Sequence, residues 1–123
     1  MLINKFAVIS AYVKQGTGAD TDRHNLLIAI LRNKNIKFLT TEGVFKNNSE
    51  SSVLIPNPDL AQMEALRVLF DQDCFLYAEN GKGYLSKNGN EQFIGVLNID
   101  NTLKTGDRTR IPSLDITFTF VEA

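Results

Sequence analysis

Two Asn-Gly dipeptides, Asn80-Gly81 and Asn88-Gly89, most narrow what this chain can fold into. Asn and Gly tolerate the positive φ angles of a type I′ turn, whose twist matches that of two antiparallel strands. The runs around them, Cys74 to Ala78, Gly83 to Ser86 and Gln92 to Ile99, are therefore expected to form an antiparallel meander. Further on, Leu114, Ile116, Phe118 and Phe120 alternate with Asp115, Thr117 and Thr119. That period of two reads as a half-buried strand over Leu114 to Val121. The polar stretch from Asp100 to Ile111 reads as a loop.

The first half reads differently. Phe6 to Val13 is an apolar, β-prone run ending at Lys14-Gln15-Gly16-Thr17-Gly18, and a helix is expected from about Asp20 to Lys34. Asp20 or Thr21 can cap its first N–H groups, while Leu26, Leu27, Ile30 and Leu31 share one face. Ile36 to Phe45 reads as a strand broken or bent at Gly43, Lys46 to Ser49 as a turn, and Ser52 to Ile55 as a short strand ending at Pro56. Asn57 as N-cap and Pro58 at the first helical position predict a second helix to about Asp71, with Leu60, Met63, Leu66, Leu69 and Phe70 facing a core.

The resulting order, βαββαβ followed by further strands, predicts an α+β fold in a single domain over residues 1–123. Its core, residues 1–79, is expected to be a ferredoxin-like split βαβ sheet with both helices on one face. Residues 80–123 would be a β-meander extension with a free edge at Leu114 to Val121. Hydrophobic residues at 43% and charged residues at 22% fit a globular chain. The longest apolar stretch, Leu26 to Leu31, is far too short to cross a bilayer, and no signal peptide is evident, so the expected location is cytoplasmic.

In that arrangement four distant segments meet at one end of the sheet. They carry Ser10 and Tyr12; Arg23, His24 and Asn25; Ser49, Glu50 and Ser52; and Gln72 with Asp73. His24 with Glu50 would make an acid–base pair, because a carboxylate fixes an imidazole's tautomer, and Ser10 or Ser52 would be the nucleophile. A histidine in the first turn of a helix is more often solvated or capping, so no catalytic residue is assigned.

Other signals are weaker. Gln15-Gly16-Thr17-Gly18 before a helix is similar to a phosphate-cradling loop but matches neither G-x-G-x-x-G nor the Walker pattern. Asn80-Gly81-Lys82-Gly83 is explained by hairpin geometry. Lys104, Arg108 and Arg110 form a candidate basic loop for phosphate contacts, without the aromatic residues that stack bases. A net charge of −1 gives no general attraction to nucleic acid. Cys74 is alone and reads as a small buried hydrophobe, and neither it nor His24 falls in a metal-binding spacing, so no metal or cofactor is expected.

Ser10-Ala11 at the end of a strand, Arg23 and Asn25 opening a helix, Glu50-x-Ser52 before a strand and Phe70-Asp71-Gln72 after a helix form a pattern. It resembles a family of small bacterial and phage proteins, a domain of unknown function with E-x-S and F-G-Q motifs. The likeness covers Phe6 to about Tyr84, and Asp71 stands where that family has glycine. It implies a bacterial or phage source and no activity.

These readings favour a small non-enzymatic module that binds a protein partner, such as a phage-encoded modulator or inhibitor of a host or defence protein. Self-association through a sheet edge would fit the same reading. The alternatives are a small-ligand or nucleotide-binding domain or hydrolase using the polar cluster, and a nucleic-acid-binding protein using the basic loop.

Overall fold

A computed structural model describes residues 4–13 and 18–122. In chain order the elements are β1 (Lys5–Ser10), α1 (Gly18–Asn33), β2 (Leu39–Phe45), β3 (Asn48–Pro56), α2 (Leu60–Leu69), β4 (Phe75–Glu79), β5 (Lys82–Lys87), β6 (Asn90–Ile99), β7 (Arg108–Ile111) and β8 (Ile116–Val121). A single 3₁₀ turn, Pro112–Leu114, joins β7 to β8. The strands close into an eight-stranded barrel in the order β1-β3-β2-β7-β8-β6-β5-β4, and every neighbouring pair is antiparallel.

The expected ferredoxin-like sheet is therefore overturned. The strands taken as an extension are half of the wall: β5 pairs with β4, β7 pairs with β2, and β6 and β8 bridge the gap. The physical reason lies in strands that are apolar on both faces. Along β1, Ala7 and Ile9 point outward to the helices, while Phe6 and Val8 point into the barrel. β3 and β4 repeat this, with Val53, Ile55, Phe75 and Tyr77 outside and Leu54 and Ala78 inside. An open sheet with helices on one face would leave the second apolar face wet. Curling the sheet until Ile111 and Phe118 meet Phe6 and Leu54 buries it.

Closure also removes the expected sheet edge, since β8 is hydrogen-bonded to β6 on one side and β7 on the other. Gly43 neither breaks nor bends β2; it pairs with Glu50 and with Thr109. Arg108 and Arg110 lie on β7 and not in a loop. Both Asn-Gly pairs sit in tight turns with positive φ at each residue, and Lys46-Asn47 does the same between β2 and β3.

The two helices cover one flank of the barrel with Leu27, Leu31, Met63, Leu66 and Phe70. Leu26, at 54% exposure, and Leu60 and Leu69, at 37% and 60%, do not face the core as their spacing predicts. The helix over 60–69 starts two residues later than expected: Asp59 is the N-cap and accepts from Gln62 N at 3.2 Å. Asn57 instead takes a left-handed backbone angle, and its N–H donates to Lys5 O at 3.0 Å.

One glycine shows how tightly the lower barrel is filled. A Cβ on Gly83 would lie 2.4 Å from the Phe120 ring, so the missing side chain is what admits that ring. Gly83→Ala is expected to cost about 1–3 kcal/mol by overpacking. Urea unfolding should show this loss, and adding Phe120→Leu should recover part of it.

Candidate functional site: the half-empty barrel mouth

At one end of the barrel lie the end of β1, the β2–β3 turn, the start of β7, the end of β8, the β5–β6 turn and the start of β4. Inward-facing residues near the opposite end are large: Phe6, Leu54, Ile111, Ile116 and Phe118. Toward the mouth the inward positions turn small and polar, with Ser10 on β1, Thr41 and Gly43 on β2, Ser52 on β3 and Thr109 on β7. Eight strands enclose more space than such side chains fill. The result is a cavity of about 540 Å³ open at the mouth, within the usual range for small-molecule sites. Val8, Leu76, Leu85, Phe118 and Phe120 give it an apolar floor, and Glu50, Ser10, Ser52 and Thr109 line its upper wall.

The polar wall is internally bonded. The hydroxyls of Thr41 and Ser52 lie 2.6 Å apart, buried, and Ser10 Oγ donates to Ser51 O at 3.2 Å. Glu50 is half-buried and its carboxylate has no hydrogen-bond or ion-pair partner among the described residues. Gly43 is conspicuous for the opposite reason to Gly83. A Cβ there would meet nothing nearer than Arg108 O at 3.4 Å, an ordinary contact, so packing does not require a glycine. Glycine inside a strand weakens it and often marks a place where a ligand approaches the backbone.

The rim is held by side chains standing in for a sheet ladder. After β1 the backbone of Ala11 to Val13 leaves the barrel, and its polar groups need other partners. Tyr12 N donates to Ser10 Oγ at 3.0 Å and Val13 N to the buried Asp20 carboxylate at 2.9 Å. Arg23 donates to Ala11 O at 2.7 Å and also to Phe70 O, stacking over the Phe70 ring. Gln72 Nε2 donates to Tyr12 O at 2.8 Å and Phe70 O at 3.0 Å. These bonds tie α1, α2 and the lip into one unit.

A second clamp fixes the neighbouring lip at the β5–β6 turn. Arg67, almost wholly buried, donates to Glu64 at 2.8 Å, to Gln72 O at 2.9 Å and to Asn88 Oδ1 at 2.9 Å. The Arg67 guanidinium holds the Glu64 carboxyl below its ordinary range. Arg67→Met removes the cation and leaves Glu64, Asn88 and the Gln72 carbonyl without it. The expected loss is about 1–3 kcal/mol, because the Gln72 carbonyl and Asn88 Oδ1 lose the donor that satisfies them. Denaturant titration should show this loss, while Arg67→Lys should recover only part of it.

Of the expected cluster, Ser10, Glu50, Ser52 and Gln72 line the cavity, with Tyr12 and Asp73 at its lip. Arg23 acts behind the wall as a tether. Asn25 is exposed, and Ser49 lies at the outer rim. His24 is outside the lining: its ring packs edge-on against Tyr12, centroids 6.3 Å apart, and no hydrogen bond joins it to Glu50. The imagined Ser–His–Glu arrangement is therefore not assembled. Cys74 lines the wall half-buried, and burial pushes its thiol up, away from the reactive thiolate. Of the basic trio, Arg108 sits at the rim with Nη1 on Gly106 O at 2.8 Å, Arg110 is paired with Asp115 at 2.6 Å, and Lys104 is exposed on a turn. Arg108 and Arg110 line one outer groove together with Glu42 and Glu50, and Lys104 is not part of it. The Gln15-Gly16-Thr17 loop lies outside the described residues.

Missed from the sequence were Gly43, Leu85, Ile94, Thr109, Phe118 and Phe120 as cavity-lining residues. The β8 alternation was the signal available, since it put Phe118 and Phe120 on an inner face. Among the described residues no group of three or more His, Cys, Asp or Glu side chains is placed to hold a metal ion. No helix among them is long and apolar enough to cross a membrane.

Fold and site together define a closed antiparallel β-barrel with two flanking helices and a half-empty interior. No family model matches the chain, and no curated protein does.

His24 Nδ1 is buried without a partner, and burial lowers the imidazole's affinity for a proton below its ordinary value near 6.5. The unfolded chain then binds the proton more readily than the folded one. Stability should be complete above about pH 6.5 and fall as the pH drops below it. Urea unfolding at pH 7.5 and 5.0 should show a smaller acid loss in His24→Gln than in the unaltered protein.

Proposed function

We propose that the protein binds a small molecule in the mouth of its barrel and carries out no chemistry on it. The observation that supports this most is the cavity itself, apolar at the floor and polar at the wall, with an unneeded glycine facing it. A few oriented polar groups above an apolar floor are the ordinary make-up of a small-ligand site. His24 lies outside the lining, so the Ser–His–Glu arrangement is not assembled there, which favours binding over hydrolysis by such a triad. The unpaired, weakly acidic Cys74 fits a reducing cytoplasm.

The test is to fill the space. Gly43→Phe puts a ring into the cavity from a strand position that tolerates a Cβ. Titration with a neutral apolar dye such as Nile red should show binding at least about tenfold weaker in Gly43→Phe, with thermal stability equal or higher. Unchanged dye binding in a folded variant would place the dye elsewhere and remove the support for this reading.

A second reading, binding of a protein partner, draws on Leu26, Leu60, Val68 and Leu69, apolar side chains exposed on the two helices. Single apolar residues on a surface are common, and isolated ones need no partner. If a partner docks there, Val68→Asp with Leu69→Asp should abolish its capture in a pull-down without altering dye binding.

A further inference from the structure

The cavity carries information about the charge of its occupant, and the inference below rests on the small-molecule reading just given. Glu50 reaches the wall from β3, and strand alternation sets it on the same inner face as Ser52 and Leu54. It is the one lining carboxylate that both belongs to a barrel strand and faces inward. The other acidic residues of the lining, Asp71, Asp73 and Asp107, sit on rim turns.

The cations nearby are already directed elsewhere. Lys87 is paired with Asp73 at 3.3 Å across the lip, and the Lys46 ammonium lies over the Phe45 ring at 5.2 Å. Arg108, beside the inward Thr109, lines the cavity at its rim, where its Nη1 bonds Gly106 O and no bond joins it to Glu50. Among the described residues no cation is bonded to Glu50.

A ligand that fills the cavity must cover Glu50 and strip water from it. An uncharged or anionic head group would leave that carboxylate desolvated and unpaired, which is costly, whereas an ammonium group would pair with it. The hydroxyls of Ser10, Ser52 and Thr109 stand on neighbouring inner positions, within the same lining, as acceptors for further ammonium N–H groups. Below them only apolar or aromatic surface remains.

We propose that the barrel takes a cationic amphiphile, a primary amine carrying an aromatic or aliphatic body. Its body rests on Val8, Leu76, Phe118 and Phe120, and its ammonium group pairs with Glu50. The negative charge of Glu50 also works against carboxylate ligands of the same shape, so selection is by repulsion as well as attraction.

Three compounds on one skeleton test this: 4-phenylbutylamine, 4-phenylbutanol and 4-phenylbutyrate, each titrated calorimetrically and by displacement of Nile red. The amine should bind at least about tenfold tighter than the alcohol, and the butyrate weakest. Glu50→Gln should bring the amine and the alcohol to the same affinity, by weakening the amine, while neutral Nile red binds the variant at least as tightly because no carboxylate is left to desolvate. Gly43→Phe should weaken all of them. Equal affinities for amine and alcohol, tighter butyrate, or a preference that survives Glu50→Gln would overturn the charge selection. So would failure of all three to displace Nile red at millimolar concentration. In each of those outcomes a Nile red site lost in Gly43→Phe would still stand for the cavity. Nile red binding indifferent to Gly43→Phe would sink the cavity reading itself, and this proposal with it.

Discussion

Burial of β1 on both faces is the constraint on which the rest of the structure depends. Phe6 and Val8 need one apolar environment and Ala7 and Ile9 another, and the strand supplies both only if something covers each side. The helices cover the outer face with Leu27, Leu31, Met63, Leu66 and Phe70. Nothing comparable exists for the inner face except the chain's own later strands. Closure satisfies it by bringing Ile111 and Phe118 from the last fifteen residues onto residues from the first ten. At roughly 25 cal/mol per Å² of apolar area removed from water, an inner layer of Phe, Leu and Ile outweighs the entropy of joining such distant segments.

The same constraint explains why the irregular stretch after β1 is so heavily bonded. A strand that must stay in the wall as far as Ser10 cannot also run smoothly into a helix outside it. Ala11 to Val13 make that transition, and Ser10, Asp20, Arg23 and Gln72 supply the bonds the ladder no longer gives. Three of these four side chains come from outside the barrel strands. The helices therefore do more than cover a flank, because their polar residues set the position of the cavity's lip.

How much of this was legible in the sequence follows from which contacts are local. Asn80-Gly81 and Asn88-Gly89 set hairpins through backbone angles alone, and the alternation of Ile116, Phe118 and Phe120 marks an inner face without help from elsewhere. Closure rests on β7 against β2, a short pairing between Arg108–Arg110 and Glu42–Val44. β7 presents Thr109 and Ile111 inward and Arg108 and Arg110 outward, so a strand of four residues was hidden in a polar stretch. The candidate site divides the same way. Ser10, Glu50, Ser52 and Gln72 converge because β1 and β3 are antiparallel neighbours and α2 ends beside them, which does not depend on the rest of the sheet. Gly43, Thr109, Leu85 and Phe120 join them only after the wall is complete. His24 was misplaced for a local reason: the ring turns to Tyr12, on the outer side of the lip.

The unfilled half of the barrel is then a property of composition distributed over the wall. Small inward residues come from four different strands, at Ser10, Thr41, Gly43, Ser52 and Thr109, and any one of them made large would begin to close the space. The hydroxyls of Ser10, Thr41 and Ser52 bond one another or the backbone, so that part of the wall needs no ligand to satisfy it. Glu50 is different: its carboxylate has no partner in the wall and sits above an apolar floor. A barrel optimised for stability alone would place a large apolar residue at Gly43 and an uncharged one at position 50. The protein does neither, and both departures fall on the same cavity, at residues paired directly across β2 and β3. Departures from good packing concentrated at one place, in a chain that packs its lower barrel to the point of excluding a methyl group at Gly83, are what the proposed binding site would cost its fold.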